Sequence, residues 1–478
     1  MWSGLKGISC QPRQLWVLCF GKAWDTYSYF GTQTILVLYM MHVYGYGQNA
    51  SYAIYGAYEG LAFSLPVLGG FIADKLLGTT LTLFIGAILN IVGNFLLFSG
   101  GVVIFQFALA LTLVGAGLYK STSTRLVGCL YSDPLKKEGG FTWFYLSSNI
   151  GGTLAPLLYG VIVSYLAWSY VFLCSGCLIL LGNIWLFFNL SLFKDLIKEN
   201  IKIALSQITI SALLISVVCV AIAAIFYFHA AINLLLPIVF VLGIVYLLAF
   251  SLKNSDQDRQ TILGLFCVSL FGMIYFIISL QIGTVITLYV QQQIHAGRIP
   301  IHFPASAFSM FYCLFVLVLA PIPILCWKWL GTRDYQYSAL TKILFGIVFA
   351  ILGIMVFGIV SSLHQPLLGI LIGIMFLSLG ELVLIPAVYA LISNKSPENA
   401  RNSMMGCWLF FAGFGGYLGS VLSSLGYKAS TSILGFSPSE YTPQFVIIAA
   451  VAMCMLIVLI RFRKRVEQFL VEGQDHAA

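Results

Sequence analysis

The sequence predicts an all-α polytopic membrane protein of fourteen hydrophobic helices, arranged as six, then two, then six. Three observations lead there. Of the 478 residues, 60% are hydrophobic and only 8% are charged, whereas soluble domains carry about 25% charged residues. Apolar runs of about 20 residues, the span of a bilayer's hydrocarbon core, recur along the whole chain. The basic residues are also one-sided. All but four of the 24 Lys and Arg fall in loops, tails or helix ends of one face. Lys22 and Lys120 lie inside helices, and Arg298 and Lys428 lie on the opposite side. This positive-inside asymmetry places both termini in the cytoplasm. The net charge of +8 is thereby a matter of topology and gives no reason to expect nucleic acid as a partner.

The first six helices are expected at about 13–43, 49–72, 79–99, 102–130, 139–165 and 166–193. Met1 to Arg13 show no short apolar core with a small-residue cleavage site, so the first helix is expected to be its own insertion signal. The apolar stretch 203–252 is too long for one span and breaks near His229 and Asn233. Its flanks, Lys194–Lys202 and Lys253–Arg259, are both basic and belong on the same side, so two helices separate them. The last six helices are expected at about 260–290, 304–330, 339–362, 366–394, 400–428 and 442–464, the final one stopped by Arg461, Arg463, Lys464 and Arg465. The domain plan is 1–193 for a first bundle, 194–259 for a linker with two extra spans, 260–464 for a second bundle, and 465–478 for a cytoplasmic tail.

Five ionisable residues sit inside apolar segments: Lys22, Asp25, Glu59, Lys120 and Glu381. An ion at the bilayer centre costs about 2.5–3.5 kcal/mol even on the most permissive scale. Such residues face an internal cavity, pair with each other or carry protons. The eleven Cys are scattered, and Cys174-x-x-Cys177 has no partner pair, so they are read as small apolar fillers. His42, His295, His302 and His364 fall near helix ends, His229 at the break in the extra pair and His476 in the tail, which suits interface placement. No HExxH, GxSxG or Walker sequence occurs, so neither an enzyme nor a metal or cofactor site is expected. The glycines Gly413, Gly415, Gly416 and Gly419 are read as a helix-packing stripe.

Four stretches carry a family resemblance. Gly69-Gly70-Phe71-Ile72-Ala73-Asp74-Lys75-Leu76-Leu77-Gly78 resembles the loop between helices two and three of major facilitator transporters, with Gly70, Asp74 and Gly78 as its gating-loop candidates. An ordinary turn, with Asp74 capping the next helix, is the plainer alternative. Gly117-Leu118-Tyr119-Lys120, then Gly128-Cys129-Leu130-Tyr131 and Asp133-Pro134, form the second stretch. Phe144-Tyr145 leading to Asn149-Ile150-Gly151 is similar to an FYxxINxG signature, with Ser148 where Ile is usual. Gly380-Glu381 with Pro386, followed by Met405-Gly406-Cys407-Trp408, form the fourth. Together they resemble the proton-dependent oligopeptide transporter (POT/PTR) family in its bacterial form. The resemblance implies the major facilitator fold, an inner-membrane location and a proton-coupled symporter of di- and tripeptides working by alternating access.

Departures accompany the resemblance. The family's ExxER motif in helix one corresponds here to Lys22-Ala23-Trp24-Asp25-Thr26, and a later Arg is Gln33. In helix seven Leu280 stands where an acid is frequent, beside Gln281, and the family's eighth-helix Asn is Tyr312. Loss of both partners of a buried pair, as at Gln33 and Leu280, spares the cost of a lone charge. Asp25 and Glu59, tuned by Lys22, are candidates for sharing the proton chemistry; a static Lys22–Asp25 pair is the alternative. The resemblance assigns Lys120 to a substrate carboxylate and Glu381 to its amino group or to coupling, against a mutual salt bridge that only closes the cavity. Asn149, Tyr29, Phe30, Gln33, Tyr145, Gln281 and Trp408 complete the expected substrate site. The proton is the only cofactor-like species implied. The partners are a small-molecule substrate and membrane lipid, and nothing specifies an oligomeric state. Two alternatives stand beside peptide symport: a transporter or uniporter of amino acids, modified peptides or another small polar solute, and a non-transporting sensor.

Overall fold

The computed structural model describes residues 11–131, 134–193, 204–252, 255–299, 304–333, 337–361, 366–397, 400–428 and 441–472. Asp133, His302, His364, His476, Lys253 and the flank Lys194–Lys202 lie outside the described residues. The described chain is helical throughout. Its α-helices are α1 (Arg13–Val43), α2 (Gln48–Ile72), α3 (Gly78–Ser99), α4 (Val102–Cys129), α5 (Pro134–Tyr165), α6 (Tyr170–Phe188), α7 (Leu205–Tyr227) and α8 (His229–Leu252). There follow α9 (Asp256–Ser279), α10 (Val285–His295), α11 (Met310–Leu319), α12 (Pro321–Gly331), α13 (Ala339–Val360), α14 (Leu367–Lys395), α15 (Arg401–Lys428) and α16 (Thr442–Glu472).

Twelve segments among the described residues are long and apolar enough to cross a membrane, and one of them, Gln48–Ser99, holds both α2 and α3. Helix α1 is absent from that set because Lys22, Asp25 and a run of Ser, Thr and Gln dilute its apolarity. With α1 added and α2 and α3 separated, the six, two, six arrangement holds. Two spans are interrupted. A 3₁₀ turn at Leu280–Gly283 divides α9 from α10, and Pro321 begins α12 directly after α11. The last helix runs on to Glu472, past the basic residues expected to end it. Its continuation is held by an Arg463–Glu467 pair at 3.0 Å, an i,i+4 spacing that stabilises exposed helix.

Local chemistry sets several ends. Ser255 and Ser338 accept hydrogen bonds from the backbone N–H groups of Asp258 and Thr341, capping α9 and α13. Gly100 and Gly101, at φ 82° and 97°, make the turn between α3 and α4, a conformation other residues adopt at a cost.

The chain divides into two compact units. The first holds Met1–Tyr44 and Ser64–Phe228; the second holds Gly45–Phe63 and His229–Ala478. The division falls inside α2, between Phe63 and Ser64. The extra pair is likewise shared: α7 packs on α4 in the first unit, and α8 packs on α9 and α15 in the second. In the first unit α3 and α4 approach so closely that a Cβ at Gly86 would lie 2.8 Å from the Gly115 carbonyl oxygen. In the second, Gly413, Gly415, Gly416 and Gly419 admit Gly60, Met273, Glu59 and Ile277 respectively against α15, the small-residue packing of membrane helices.

Candidate functional site

In the first unit, α1 places Lys22 and Asp25 one turn apart, with Lys22 Nζ 3.1 Å from Asp25 Oδ2. Both are buried, at 7% and 5% exposure. Helix α3 supplies the rest of the cluster. Asn90 Nδ2 donates to Asp25 Oδ1 at 3.3 Å, and Asn94 Nδ2 donates to Asn90 Oδ1 at 2.9 Å. Asn94 and Ser28 are also hydrogen-bonded, at 3.1 Å. The Lys22 ammonium lies 6.0 Å from the Phe144 ring centre, within cation–π range. Each oxygen of the Asp25 carboxylate thus has its own donor. A buried pair breaks even with apolar packing only when its remaining atoms are satisfied in this way. Thr26, standing where the resembled motif has Arg, is bonded to Ser148 at 3.0 Å. The sequence reading missed Asn90 and Asn94. Two amides at i,i+4 on one face of an otherwise apolar helix were the available signal.

Tyr29 and Phe30 are half-buried and meet edge-on with ring centres 5.3 Å apart, and Gln33 is buried. Lys120 is half-buried on α4, where its carbonyl accepts from Thr124 at 2.7 Å. Asn149 donates to the Tyr145 carbonyl at 3.1 Å and is itself buried, while the Tyr145 ring is exposed. At the gating-loop candidates, residues Ala73–Leu77 form a single π-helical turn and Gly78 adopts φ 73°. Gly70 faces open space. The plainer alternative, Asp74 capping α3, is not what the structure has: the α3 N-terminus has no side-chain cap. Asp74 pairs instead with the exposed Arg125 of α4.

In the second unit, Glu381 Oε2 on α14 is hydrogen-bonded to the Tyr312 hydroxyl on α11. The Tyr312 and Tyr275 hydroxyls are 2.6 Å apart, and Tyr275, on α9, reaches the Leu377 carbonyl at 3.1 Å. Ser378 adds a hydrogen bond of 2.9 Å to the Tyr312 carbonyl. Tyr275 was not singled out in the sequence; it is one of 25 tyrosines and carries no charge to mark it. Trp408 is buried, with its ring edge-on to Phe276 at 5.6 Å and to Tyr389 at 6.4 Å.

Gln281 occupies the interruption between α9 and α10. Its Oε1 accepts from Ser423 at 2.6 Å and Thr284 at 2.9 Å, and its Nε2 donates to the Ile277 carbonyl at 2.8 Å. These bonds commit it to holding the broken span together. Tyr55, one turn before Glu59 on α2, donates to the Leu280 carbonyl at 3.3 Å. Glu59 is fully buried beside Gly416 and belongs to this unit, whereas Asp25 belongs to the first.

Among the described residues there is no group of three or more His, Cys, Asp or Glu able to hold a metal ion. Two arrangements of ionisable groups are described: a compensated ion pair in the first unit and a carboxyl group in contact with a phenol in the second.

Residues 80–441 match the sequence profile of the POT family. The chain is 29% identical over 425 residues to the "uncharacterized transporter YclF" of Bacillus subtilis strain 168, covering 84% of this chain and 86% of that one. It is 24% identical over 434 residues to the "dipeptide and tripeptide permease B" of Aeromonas hydrophila, covering 87% and 86%. Among solved structures, it resembles the peptide transporter POT in complex with sulfate, with a TM-score of 0.80, 23% identity and 96% coverage of each chain. A POT family transporter in complex with a thioalcohol-conjugated peptide gives 0.81, 22% identity, and 95% and 97% coverage.

Proposed function

The chain belongs to the POT family, and from that premise we propose that it is a proton-coupled symporter of di- and tripeptides. It works by alternating access in a bacterial cytoplasmic membrane, with both termini on the cytoplasmic side. The observation that carries this reading is the family match over residues 80–441, which includes both Lys120 and Glu381. Relatives named as dipeptide and tripeptide permeases support the cargo, as does a solved relative holding a peptide conjugate. The basic loops on one side support the orientation.

In this proposal Lys120 meets the peptide carboxylate and Glu381 its amino group, and Asn149 is an amide contact to the backbone. Tyr29, Phe30, Tyr145 and Trp408 are aromatic candidates for side-chain contacts. Gln33 is neutral, so the carboxylate rests on Lys120 more heavily than a second cation would require. The proton is the coupling ion and no resident cofactor is needed; Asp25, Glu59 and Glu381 are its candidate carriers. Gly70, Asp74 and Gly78 form the cytoplasmic gating loop.

A second reading, passive uniport, is favoured by one observation: both oxygens of Asp25 are already engaged, by Lys22 and Asn90. Uptake of labelled di- and tripeptides into proteoliposomes, with an inward proton gradient and without one, separates the two. Accumulation above equilibrium only with the gradient is the expected result. Flux that merely equilibrates gives uniport. No flux from a folded protein removes peptides as the cargo.

A further inference from the structure

Lys22, Arg125 and Arg463 each pair with a carboxylate. Two cations of the second unit are placed differently. The Arg333 guanidinium lies 4.1 Å from the centre of the Trp329 ring, and Lys342 Nζ lies 5.1 Å from that of Trp327. Among the described residues neither forms an ion pair with an acid. Glu467, the carboxylate that α16 brings to the start of α13, is already bonded to Arg463 and Ser338. Asp334 lies outside the described residues. An indole face attracts a cation but carries no net charge. Both positive charges are therefore held in place without being neutralised.

The surroundings are amphiphilic. The Trp327, Tyr337 and Phe345 rings meet one another with centres 6.0 to 6.2 Å apart. Trp329, Tyr337 and Phe345 are exposed, as aromatic residues at the edge of a bilayer are. One turn beyond Lys342, Phe345 begins a stripe of exposed apolar residues on α13 that continues through Val348, Leu352, Met355 and Ile359. These recur every three or four residues and share one helix face. They cover about 21 Å of helix, more than the roughly 15 Å of half a bilayer core.

We propose that the loop-side ends of α12 and α13 bind an anionic phospholipid. Lys342 and Arg333 take the charge of its phosphate, and the stripe on α13 carries an acyl chain. Charge complementarity selects the occupant. The asymmetry of basic residues that assigns this end to the cytoplasm also sets it in the leaflet whose anionic lipids attract cations. A zwitterionic lipid offers the same chain, but its own ammonium group opposes both cations.

The test is native mass spectrometry of the purified, delipidated protein in detergent, given dioleoyl phosphatidylglycerol or dioleoyl phosphatidylcholine. The acyl chains are identical, so a difference belongs to the headgroup. Phosphatidylglycerol adducts are expected to outnumber phosphatidylcholine adducts. Lys342→Gln and Arg333→Gln should each lower the phosphatidylglycerol affinity about fivefold, the factor given by about 1 kcal/mol for each cation near the surface. Lys342→Arg keeps the charge and should retain the lipid. Arg461→Gln combined with Lys464→Gln removes two exposed charges from α16 and should leave the affinity unchanged. Equal binding of the two lipids, an affinity indifferent to both single variants, or an equal loss in the α16 variant overturns the proposal. Displacement of the lipid by inorganic phosphate also overturns it, since the site would then serve a free anion. No transport is read, so the outcome is independent of cargo and of coupling.

Discussion

The two units handle a carboxylate inside an apolar span in opposite ways, Asp25 being buried and Glu381 half-buried. In the first, Asp25 is met by a cation one turn away on its own helix and by an amide from α3, so the charge is compensated locally. In the second, Glu381 accepts from the Tyr312 phenol of α11, which in turn meets the Tyr275 phenol of α9. A compensated pair resists change, since moving a proton onto Asp25 would leave Lys22 buried and unmatched. A carboxyl group held by hydroxyls can be charged or neutral with only a rearrangement of protons. The first arrangement suits a fixed joint between α1 and α3, and the second suits a switch.

The largest effect should come from breaking the first arrangement on one side only. Asp25→Ala leaves a buried ammonium and is expected to cost about 3–5 kcal/mol. Thermal unfolding of the detergent-solubilised protein checks this. Replacing Lys22 by Met and Asp25 by Leu together should restore most of the loss, because both charges go at once. If the double variant is as unstable as the single one, the pair is not self-contained and Asp25 has an essential role beyond Lys22.

Next in size is the amide that serves Asp25. Asn90→Leu removes the donor to one carboxylate oxygen and leaves that oxygen buried, at an expected cost of about 1–3 kcal/mol. The same unfolding measurement applies. Coupling between Asn90→Leu and Asp25→Ala should be strong, because once the carboxylate is gone the amide has little left to serve. Additive losses would show that Asn90 acts mainly through Asn94.

How much of this was visible in the sequence follows from the same physics. The spans were legible because a bilayer demands long apolar runs, and Lys22, Asp25, Glu59, Lys120 and Glu381 stood out because charge is rare in them. Several partners that are polar but neutral did not. Asn90, Asn94 and Tyr275 resemble ordinary helix residues until the fold brings another helix to them. The Leu280–Gly283 interruption was hidden for a related reason: Gly283 and Thr284 sit in an apolar run that reads as one span, and the bonds that stabilise the break come from Tyr55 and Ser423, far away in sequence. The division of α2 at Phe63 was invisible because packing partners change there while the helix continues. The π turn at Ala73–Leu77 was not legible either, because no local pattern announces such a turn.

Glu381→Gln sharpens the comparison from the other side. The amide keeps a carbonyl oxygen to accept from Tyr312 and an NH₂ to donate, so the phenol chain survives with a neutral end. Stability should change by less than about 1.5 kcal/mol, the net worth of one hydrogen bond. Gradient-driven peptide accumulation, read in proteoliposomes, should be lost. A large drop in unfolding temperature would mean that Glu381 is structural in the way Asp25 is, and the contrast between the units would fail.

The smallest effect belongs to Asp74. Its pair with Arg125 is exposed on both sides, at 58% and 48% of the side-chain surfaces. Solvent and salt screen such a pair, and its measured worth is typically below about 1 kcal/mol. Asp74→Asn should therefore leave the unfolding temperature nearly unchanged, and the small difference should shrink further at high salt, where the screening length falls to about 3 Å at 1 M. If the residue acts as a gate, the change will appear in transport rate instead, since an exposed pair that forms and breaks with the loop alters barriers more than ground states. A variant equal to the parent protein in both stability and rate would leave the π turn, and not its charge, as the part of this loop that matters.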